Sequence, residues 1–290
     1  MKEILKLIRV KHWLKNILIF LPIFFSVNVS NKELLKVSLI AFIVFCLSAS
    51  IVYIINDLND LEKDKNHPVK KLRSLASGKI TISTAIIIIV ILTLISLTLS
   101  FYLYTINNNI LVILIPVIYI VVNILYSIIL KDIPIIDVSV IVLGFVLRVM
   151  YGGVVTNIEV SKYLYLMIIF GAFFLGFGKR RNEIIKNGTK SRKSLDFYNQ
   201  SFLDKNMYVM LGLAVMSYTL WCVDKDTINR IGNDYLFWTI PLVIIILQLY
   251  SLNIEGNSYG DPIDVILSDK KLMLTSTIYA IIMTVLLYLV

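Results

Sequence analysis

Four polar residues at the end of an apolar stretch have types and a spacing that suit a metal site. The stretch NDLNDLEKDKNHPVKKLRSLASG, residues 56–78, contains Asn56, Asp57, Asp60 and Asp64. If the preceding helix continues through them, all four lie within an arc of about 100° on one face. Carboxylates that repel one another need a cation, and all-oxygen ligands suit Mg²⁺ or Mn²⁺. The spacing therefore predicts that Asp57, Asp60 and Asp64 hold a divalent metal ion.

Basic residues lie close to the acidic ones in sequence, and this combination suits a diphosphate. Lys70 and Arg73 follow in the same polar stretch, and Lys15 ends a basic N-terminal arm. Magnesium in proteins typically connects carboxylates to the phosphate groups of a substrate. We predict that the three aspartates are catalytic and that Asn56, Lys15, Lys70 and Arg73 bind substrate. The alternative is a solvated acidic helix end, which like-charge repulsion on one face disfavours.

A second polar motif, GKRRNE at residues 178–183, follows a later apolar stretch. On a helix, Lys179, Arg180 and Glu183 share one face, whereas Arg181 faces away. Guanidinium and ammonium groups both suit phosphate. We therefore predict that Lys179 and Arg180 bind a phosphate group, and that Glu183 holds the basic pair or adds a metal ligand. The alternative is a basic helix end that only sets membrane topology.

Three further residues complete the predicted substrate-binding set. Tyr126 and Lys131 flank a short turn, and Arg148 lies deep inside the next apolar stretch. A charge inside a bilayer is costly and by default faces an interior partner. A carboxylate partner would make Arg148 structural, and a lipid phosphate would make it functional. Both interpretations stay open from the sequence.

The elements that position these motifs are transmembrane helices. Of the 290 residues, 58% are hydrophobic and 16% charged, against about 25% charged in an average soluble domain. This composition excludes a disordered chain and a soluble domain with one core, and two cysteines exclude a disulfide-rich scaffold. We predict an all-α polytopic membrane protein, one catalytic domain over residues 1–290. Its helices, about nine in number, are expected at roughly 16–29, 36–56, 80–104, 110–130, 134–155, 161–178, 207–223, 233–251 and 271–290.

The distribution of basic residues predicts the orientation. Most of the 28 Lys and Arg residues lie in the N-terminal arm and in alternate loops on one face. The positive-inside rule makes that face cytoplasmic. We therefore expect the N-terminus and both polar motifs on the cytoplasmic side of the plasma membrane. The net charge of +9 then reflects membrane topology, and we expect no nucleic-acid partner.

With these motifs the chain resembles the UbiA superfamily of intramembrane prenyltransferases, and within it the decaprenyl-phosphate phosphoribosyltransferase branch. The resemblance is carried by RVKHWLKN (9–16), residues 56–78, DVSVIVLGFVLRVMYGG (137–153), GKRRNE (178–183) and YGDPIDVILSDKKL (259–272). Two features depart from the superfamily pattern. Lys179, Arg180 and Glu183 stand in place of a second Asp-rich motif, and Arg73 is followed by serine where the family often has proline.

The resemblance implies transfer of 5-phosphoribose from phosphoribosyl diphosphate to a polyprenyl phosphate, with Mg²⁺ (or Mn²⁺) and release of diphosphate. The lipid bilayer would supply the acceptor. Two alternatives stay open. One is a prenyltransferase that uses a prenyl diphosphate on an aromatic or quinone-precursor acceptor, against which the missing second Asp-rich motif counts. The other is a lipid transporter, for which polar residues on both sides of a midplane site are expected.

Overall fold

All regular structure in the described part of the chain is helical. The structure is a computed structural model that describes residues 2–66, 69–188, 193–256, 265 and 268–289. Its α-helices are α1 Lys2–Leu7, α2 Leu21–Phe25, α3 Lys32–Asn59, α4 Leu61–Lys65, α5 Ile82–Asn107, α6 Leu111–Ile128, α7 Ile136–Thr156, α8 Lys162–Asn187, α9 Gln200–Val223, α10 Lys225–Ile231, α11 Ile240–Glu255 and α12 Lys270–Tyr288. Eight segments are long and apolar enough to cross a membrane. These features confirm the predicted all-α polytopic fold.

The predicted first span, 16–29, takes a different form. Val10–Phe20 is a 3₁₀ segment, and the short helix α2 follows it. The segment runs antiparallel to α3, since Trp13 bonds Ser50 at 3.1 Å and the rings of Phe20 and Phe42 lie 5.7 Å apart. A 3₁₀ helix rises about 2 Å per residue, so the 3₁₀ segment and α2 together extend about 30 Å. That length suits a further crossing before the eight candidate spans of the described residues, and the ninth crossing stays a prediction.

The exposed surface of the long helices is apolar. α5 has a mean hydropathy of 2.7 in its most apolar window, yet only 11% of that window is buried within the protein. Residues such as Ile87 and Leu94 are more than half exposed. Apolar faces of this extent need a non-aqueous environment. The chain is therefore a multi-pass membrane protein.

The first compact unit contains the acidic motif. It comprises Met1–Phe24, Asn28–Ile129 and Leu147–Glu159. α3 is its central helix, and the Phe45 ring packs 4.9 Å from Tyr119 and 5.3 Å from Tyr151. Asn31 caps the start of α3 by accepting two backbone N–H groups, which is a preferred N-cap role. With its start fixed and its sides packed, α3 delivers Asp57 to a defined position at its other end.

The second compact unit contains the basic motif. It comprises Phe25–Val27, Leu130–Val146 and Val160–Val290. A Cβ on Gly178 would lie 2.9 Å from a methyl group of Ile254 and 3.3 Å from the Met207 sulfur, so α8 packs tightly there. α8 continues past the predicted end at 178 and carries the whole motif on one helix. The single catalytic domain over residues 1–290 stays a prediction.

Candidate active site

The acidic motif lies where α3 ends, but one unbroken helix does not carry it. α3 stops at Asn59, and Asp60 adopts φ −95° and ψ 9° before α4 begins at Leu61. The predicted helix from Asn56 to Asp64 is therefore interrupted at Asp60, although the Asp60 N–H bonds the Asn56 carbonyl oxygen at 3.0 Å and the Asp64 N–H bonds that of Asp60 at 2.8 Å. Aspartate is a poor interior helix residue, and carboxylates stacked on one face destabilise a helix. An interruption at Asp60 relieves both effects.

Asp57 and Asp64 nevertheless converge, because they share one arginine. Arg73 Nη1 lies 3.1 Å from Asp57 Oδ1 and 2.6 Å from Asp64 Oδ2. The two aspartate side chains are 5% and 3% exposed, whereas Arg73 is 31% exposed. Buried charges need ionic and hydrogen-bonded partners. The guanidinium thus offsets the repulsion between the two carboxylates while part of it stays accessible.

Arg9 is a second cation at Asp57, and the sequence reasoning missed it. Its Nη2 bonds Asp57 Oδ1, and its guanidinium lies 4.7 Å from the centre of the Tyr53 ring. Arg9 has φ 52°, an uncommon conformation for a residue with a side chain. It joins α1 to the 3₁₀ segment and lets the chain change direction there. The arginine is visible in the stretch RVKHWLKN, but the backbone conformation that directs it to Asp57 is not.

Hydrogen bonds fasten the N-terminal arm beside the acidic motif. Ser74 Oγ donates to a Glu3 carboxylate oxygen at 3.0 Å. Ser50 Oγ donates to the Ile8 carbonyl oxygen at 2.8 Å. Because these bonds anchor α1 at Glu3 and the chain at Ile8, the residue before Arg9, they hold Arg9 in place. No local sequence pattern predicts these two bonds, since serine hydroxyls bond many kinds of partner.

The other candidate residues of the first unit occupy different environments. Ser127 on α6 donates to Asn56 Oδ1, which fixes the amide at the end of α3. Asp60, four residues after Asn56, is half-buried. Lys15 and Tyr126 are also half-buried, whereas Lys70 is exposed. Their predicted roles in substrate binding stay predictions.

Arg148 is a buried cation within α7. Its Nε donates to Asn16 Oδ1 at 2.7 Å, and its Nη2 donates to Tyr119 Oη at 3.0 Å. The guanidinium also lies 4.9 Å from the Tyr119 ring centre and 5.5 Å from that of Phe45. These contacts confirm an interior position, as the cost of a charge in the bilayer requires. Amide, hydroxyl and ring partners hold the guanidinium in a fixed orientation.

The acidic cluster fits a divalent cation through two of its carboxylates. Among the described residues, no three or more His, Cys, Asp or Glu side chains form a group that could hold a metal ion. Asp57 and Asp64 do lie within hydrogen-bonding distance of the same Arg73 nitrogen. Magnesium commonly takes one or two protein carboxylates and completes its shell with water and substrate phosphate. The donor set therefore suits that ion, and Asp60 as a third ligand stays a prediction.

In the second unit, Arg180 is held between two carboxylates. Its Nε lies 2.6 Å from Asp137 Oδ2, and its Nη1 lies 3.0 and 2.9 Å from the two oxygens of Glu183. Arg180 is 1% exposed, Asp137 is fully buried and Glu183 is 19% exposed. Arg180 and Glu183 share a face of α8, as predicted. The guanidinium, however, is committed to protein carboxylates, so a role in binding phosphate stays a prediction.

Asp137 is the centre of this network, and its partners come from two segments, α8 and residues 193–198. Besides Arg180, it accepts hydrogen bonds from Ser194 Oγ at 3.2 Å and from Tyr198 Oη at 2.7 Å. Burial raises the pKa of Tyr198, and the hydrogen bond to Asp137 raises it further, so the phenol stays protonated and donates. Tyr198 Oη also accepts from the backbone N–H of Ile135 at 2.5 Å. Ile135 has φ 69°, which is strained for a β-branched residue.

Arg181 faces away from the shared face of the motif, as the helical spacing predicts, but it does not face solvent. Its side chain is 9% exposed, and its Nε lies 2.5 Å from Asp204 Oδ1 on α9. Replacing Arg181 would leave Asp204 without this partner. Lys179, next to Arg180, is half-buried, as is Lys131 in the 3₁₀ turn Leu130–Asp132.

Part of the predicted tail motif lies outside the described residues. Asp261 and Asp264 of this motif are outside the described residues. His67 of the acidic motif is also outside them. Asp269 is described, and its carboxylate accepts the backbone N–H groups of Lys271 and Leu272 at 2.7 and 3.0 Å. Asp269 therefore caps the start of α12.

Comparison with known proteins agrees with the fold and with the motifs. The decaprenyl-phosphate phosphoribosyltransferase of Corynebacterium glutamicum is 33% identical over 97% of this chain and 86% of that protein. The one from Mycolicibacterium smegmatis is 32% identical over 93% of this chain and 88% of that protein. A UbiA homologue from Archaeoglobus fulgidus, solved with GPP and Mg²⁺, has the same fold. Its TM-score is 0.72 at 17% identity, over 98% of this chain and 99% of that one.

A family-level match completes this comparison. The matching model is described as the UbiA prenyltransferase family, and it covers residues 18–252. That range includes Asp57, Asp64 and Arg73, as well as Arg148 and the basic motif. Arg9 precedes it. Together with the full-length similarity to the curated relatives, the match shows that the chain belongs to the UbiA prenyltransferase family.

Proposed function

We propose that this chain transfers 5-phosphoribose from phosphoribosyl diphosphate to a polyprenyl phosphate and releases diphosphate. The observation that carries the proposal is its similarity, over nearly the whole chain, to two decaprenyl-phosphate phosphoribosyltransferases. The relatives' names supply the acceptor and the transferred group. The donor, phosphoribosyl diphosphate, is not given by those names. The carboxylates and arginines that lie together around Asp57 support it.

The acidic cluster has the groups that a departing diphosphate needs. Mg²⁺ bound through Asp57, Asp64 and Asp60 would act as a Lewis acid and neutralise charge on the leaving group. Arg9 and Arg73 supply two guanidinium forks, which suit phosphate oxygens. Both arginines are partly exposed, at 22% and 31%. A diphosphate would therefore meet cations that already lie beside the carboxylates.

The acceptor needs little activation by the protein. A polyprenyl phosphate is anionic at neutral pH, so its oxygen attacks the ribose C1 without a strong general base. Cleavage of the C1–O bond develops positive character on the sugar, and the electron pair leaves with the diphosphate. The task of the side chains is then orientation and charge neutralisation, for which preorganised ionic groups are well suited. Asn56, held by Ser127, would orient a substrate oxygen.

The proposed setting is the cytoplasmic face of the plasma membrane, with the N-terminus on that side. Two contacts of α1 support a common side for the arm and the acidic loop. Glu3 accepts from Ser74, and Lys79 Nζ lies 3.9 Å from a Glu3 carboxylate oxygen. The positive-inside rule then assigns this side to the cytoplasm, where water-soluble sugar phosphates are available.

A prenyl diphosphate-dependent transferase is the second candidate. The family description and the GPP-bound structural neighbour favour it. The two candidates differ in the donor, so one screen separates them. Purified protein is incubated with Mg²⁺, a polyprenyl phosphate and labelled phosphoribosyl diphosphate, and in parallel with labelled prenyl diphosphates and an aromatic acceptor. The proposal expects labelled lipid only with phosphoribosyl diphosphate, and product only from prenyl diphosphate would overturn it.

A further inference from the structure

The side of α3 that leads to the acidic motif receives the N-terminal arm through three residues at helical spacing. Ser50, Tyr53 and Asp57 are three and four residues apart, so they lie on one side of the helix. Ser50 Oγ donates to the Ile8 carbonyl oxygen at 2.8 Å. Arg9, the next residue, contacts both Tyr53 and Asp57. Tyr53 is therefore the middle one of three contacts between the arm and α3.

Two side chains of the arm lie against the Tyr53 ring. The guanidinium carbon of Arg9 lies over the ring, 4.7 Å from its centre. The centre of the His12 ring lies 5.3 Å from it, with the two planes tilted by 42°. The His12 N–H bonds the Arg9 carbonyl oxygen at 2.8 Å, and residues three apart in a 3₁₀ turn lie on the same side. The half-buried Tyr53 ring is thus packed by the segment whose arginine it contacts.

Each of the two arginines at Asp57 has a second anchor of its own. Arg9 and Arg73 both bond Asp57 Oδ1. The second anchor of Arg73 is a carboxylate, since its Nη1 lies 2.6 Å from Asp64 Oδ2. The second anchor of Arg9 is the uncharged ring of Tyr53. A ring face attracts a cation without neutralising its charge, so this contact leaves the positive charge of Arg9 available to a phosphate.

The two kinds of anchor respond differently when the acidic cluster holds a divalent cation. Asp57 and Asp64 are the proposed metal ligands, and a cation on them repels the guanidinium groups at the same carboxylates. Both anchors of Arg73 are therefore weakened, but only one anchor of Arg9. Arg9 also has φ 52°, and such a conformation persists only where the surroundings maintain it. The Tyr53 ring is an anchor for which the metal ion does not compete.

We propose that Tyr53 is a positioning residue, whose ring keeps the Arg9 guanidinium beside the leaving diphosphate while Asp57 holds Mg²⁺. The inference rests on the proposed function and names a further residue for it. The ring face attracts the cation, so a phenyl group can serve in place of the phenol. Because the ring acts through Arg9, its effect on diphosphate binding should disappear when Arg9 is replaced.

The test measures the binding of inorganic diphosphate to purified protein. Its dissociation constant is determined with Mg²⁺ by titration calorimetry, and the KM for phosphoribosyl diphosphate is measured on the same proteins. The variants are Tyr53→Leu, Tyr53→Phe, Arg9→Gln, the double variant Tyr53→Leu with Arg9→Gln, and Phe42→Leu. The last is a matched control, because Phe42 packs its ring 5.7 Å from that of Phe20 between the 3₁₀ segment and α3. The thermal unfolding midpoint in detergent checks that each variant is folded.

Tyr53→Leu is expected to weaken diphosphate binding by about 3- to 30-fold, whereas Tyr53→Phe and Phe42→Leu should stay within about twofold of wild type. In the Arg9→Gln background, Tyr53→Leu should cause little further loss, because the effects of coupled residues do not add. Tyr53→Met, which also lacks a ring, takes the place of Tyr53→Leu if that variant does not fold.

Unchanged binding in Tyr53→Leu, or an equal loss with and without Arg9, overturns the inference. Absence of diphosphate binding by wild type overturns it as well. Use of a prenyl diphosphate instead of phosphoribosyl diphosphate would overturn the proposed function, and the diphosphate comparison would still decide the role of Tyr53.

Discussion

Arg9 and Arg73 share the task of neutralising Asp57, whose side chain is only 5% exposed. They approach from different parts of the chain, the N-terminal arm and the segment after α4. If one of the two arginines is replaced, the other still places a cation beside Asp57. The two arginines balance the charge of the two buried carboxylates, and because both are partly exposed they stay accessible to an anionic substrate.

Replacing Arg9 tests this role at the residue scale. Arg9→Gln is expected to raise the KM for phosphoribosyl diphosphate by about 10-fold or more, since a lost charge-assisted bond costs about 1.5–3 kcal/mol. Arg9→Lys should recover only part of the loss, because an ammonium group lacks the planar fork. Steady-state kinetics on purified variants provide the measurement.

Lys6→Gln is the matched control for Arg9. Lys6 is 55% exposed and pairs with Glu3 at 2.8 Å on the same short helix. Its loss should change the KM little, because exposed pairs contribute little. Equal effects of Arg9→Gln and Lys6→Gln would contradict a role of Arg9 in donor binding.

The sequence indicated the acidic motif correctly as a cluster but not its geometry. Residue type and spacing predicted that Asp57 and Asp64 lie together, and they do. The interruption at Asp60 and the left-handed Arg9 depend on tertiary contacts, which no local pattern encodes. Arg181 illustrates the same limit, since helical spacing gives its direction but not its partner Asp204.

At the scale of elements, the first crossing depends on a close approach between the 3₁₀ segment and α7. A Cβ on Gly152 would lie 2.1 Å from the Ile19 carbonyl oxygen. That atom belongs to the backbone and cannot turn aside. Hydropathy predicted an apolar crossing here, but not that it would be a 3₁₀ segment packed against a glycine.

Gly152→Ala is therefore expected to destabilise the protein by about 1–3 kcal/mol or more. The thermal unfolding midpoint in detergent provides the measurement. Gly212→Ala on α9 is the control, because a Cβ there meets nothing within 4 Å and alanine is favoured over glycine in a helix. A midpoint for Gly152→Ala equal to that of Gly212→Ala would show that the close packing is not required.

For the whole molecule, the basic face defines the orientation in the membrane. A cysteine at Asn66, beside the acidic motif, should be unreactive toward an impermeant thiol reagent in intact cells. A cysteine at Lys225, at the start of α10, should react. Background labelling should be low because the native Cys46 and Cys222 are buried. Permeabilised cells should label both positions, and the opposite pattern in intact cells would reverse the topology.

The acidic cluster is the centre of the proposed phosphoribosyl transfer, and one comparison tests it most directly. Asp57→Asn removes a buried carboxylate that Arg9 and Arg73 bind. Glu62→Gln, in the same motif, removes a carboxylate that is 80% exposed and pairs with Lys65. The measurement is diphosphate release from phosphoribosyl diphosphate, coupled to labelled polyprenyl product, with and without a chelator. We expect Asp57→Asn to lose about 100-fold or more in kcat/KM, the chelator to abolish the wild-type reaction, and Glu62→Gln to stay within about twofold of wild type. Equal activity of Asp57→Asn and Glu62→Gln, or full activity in the chelator, would contradict this expectation.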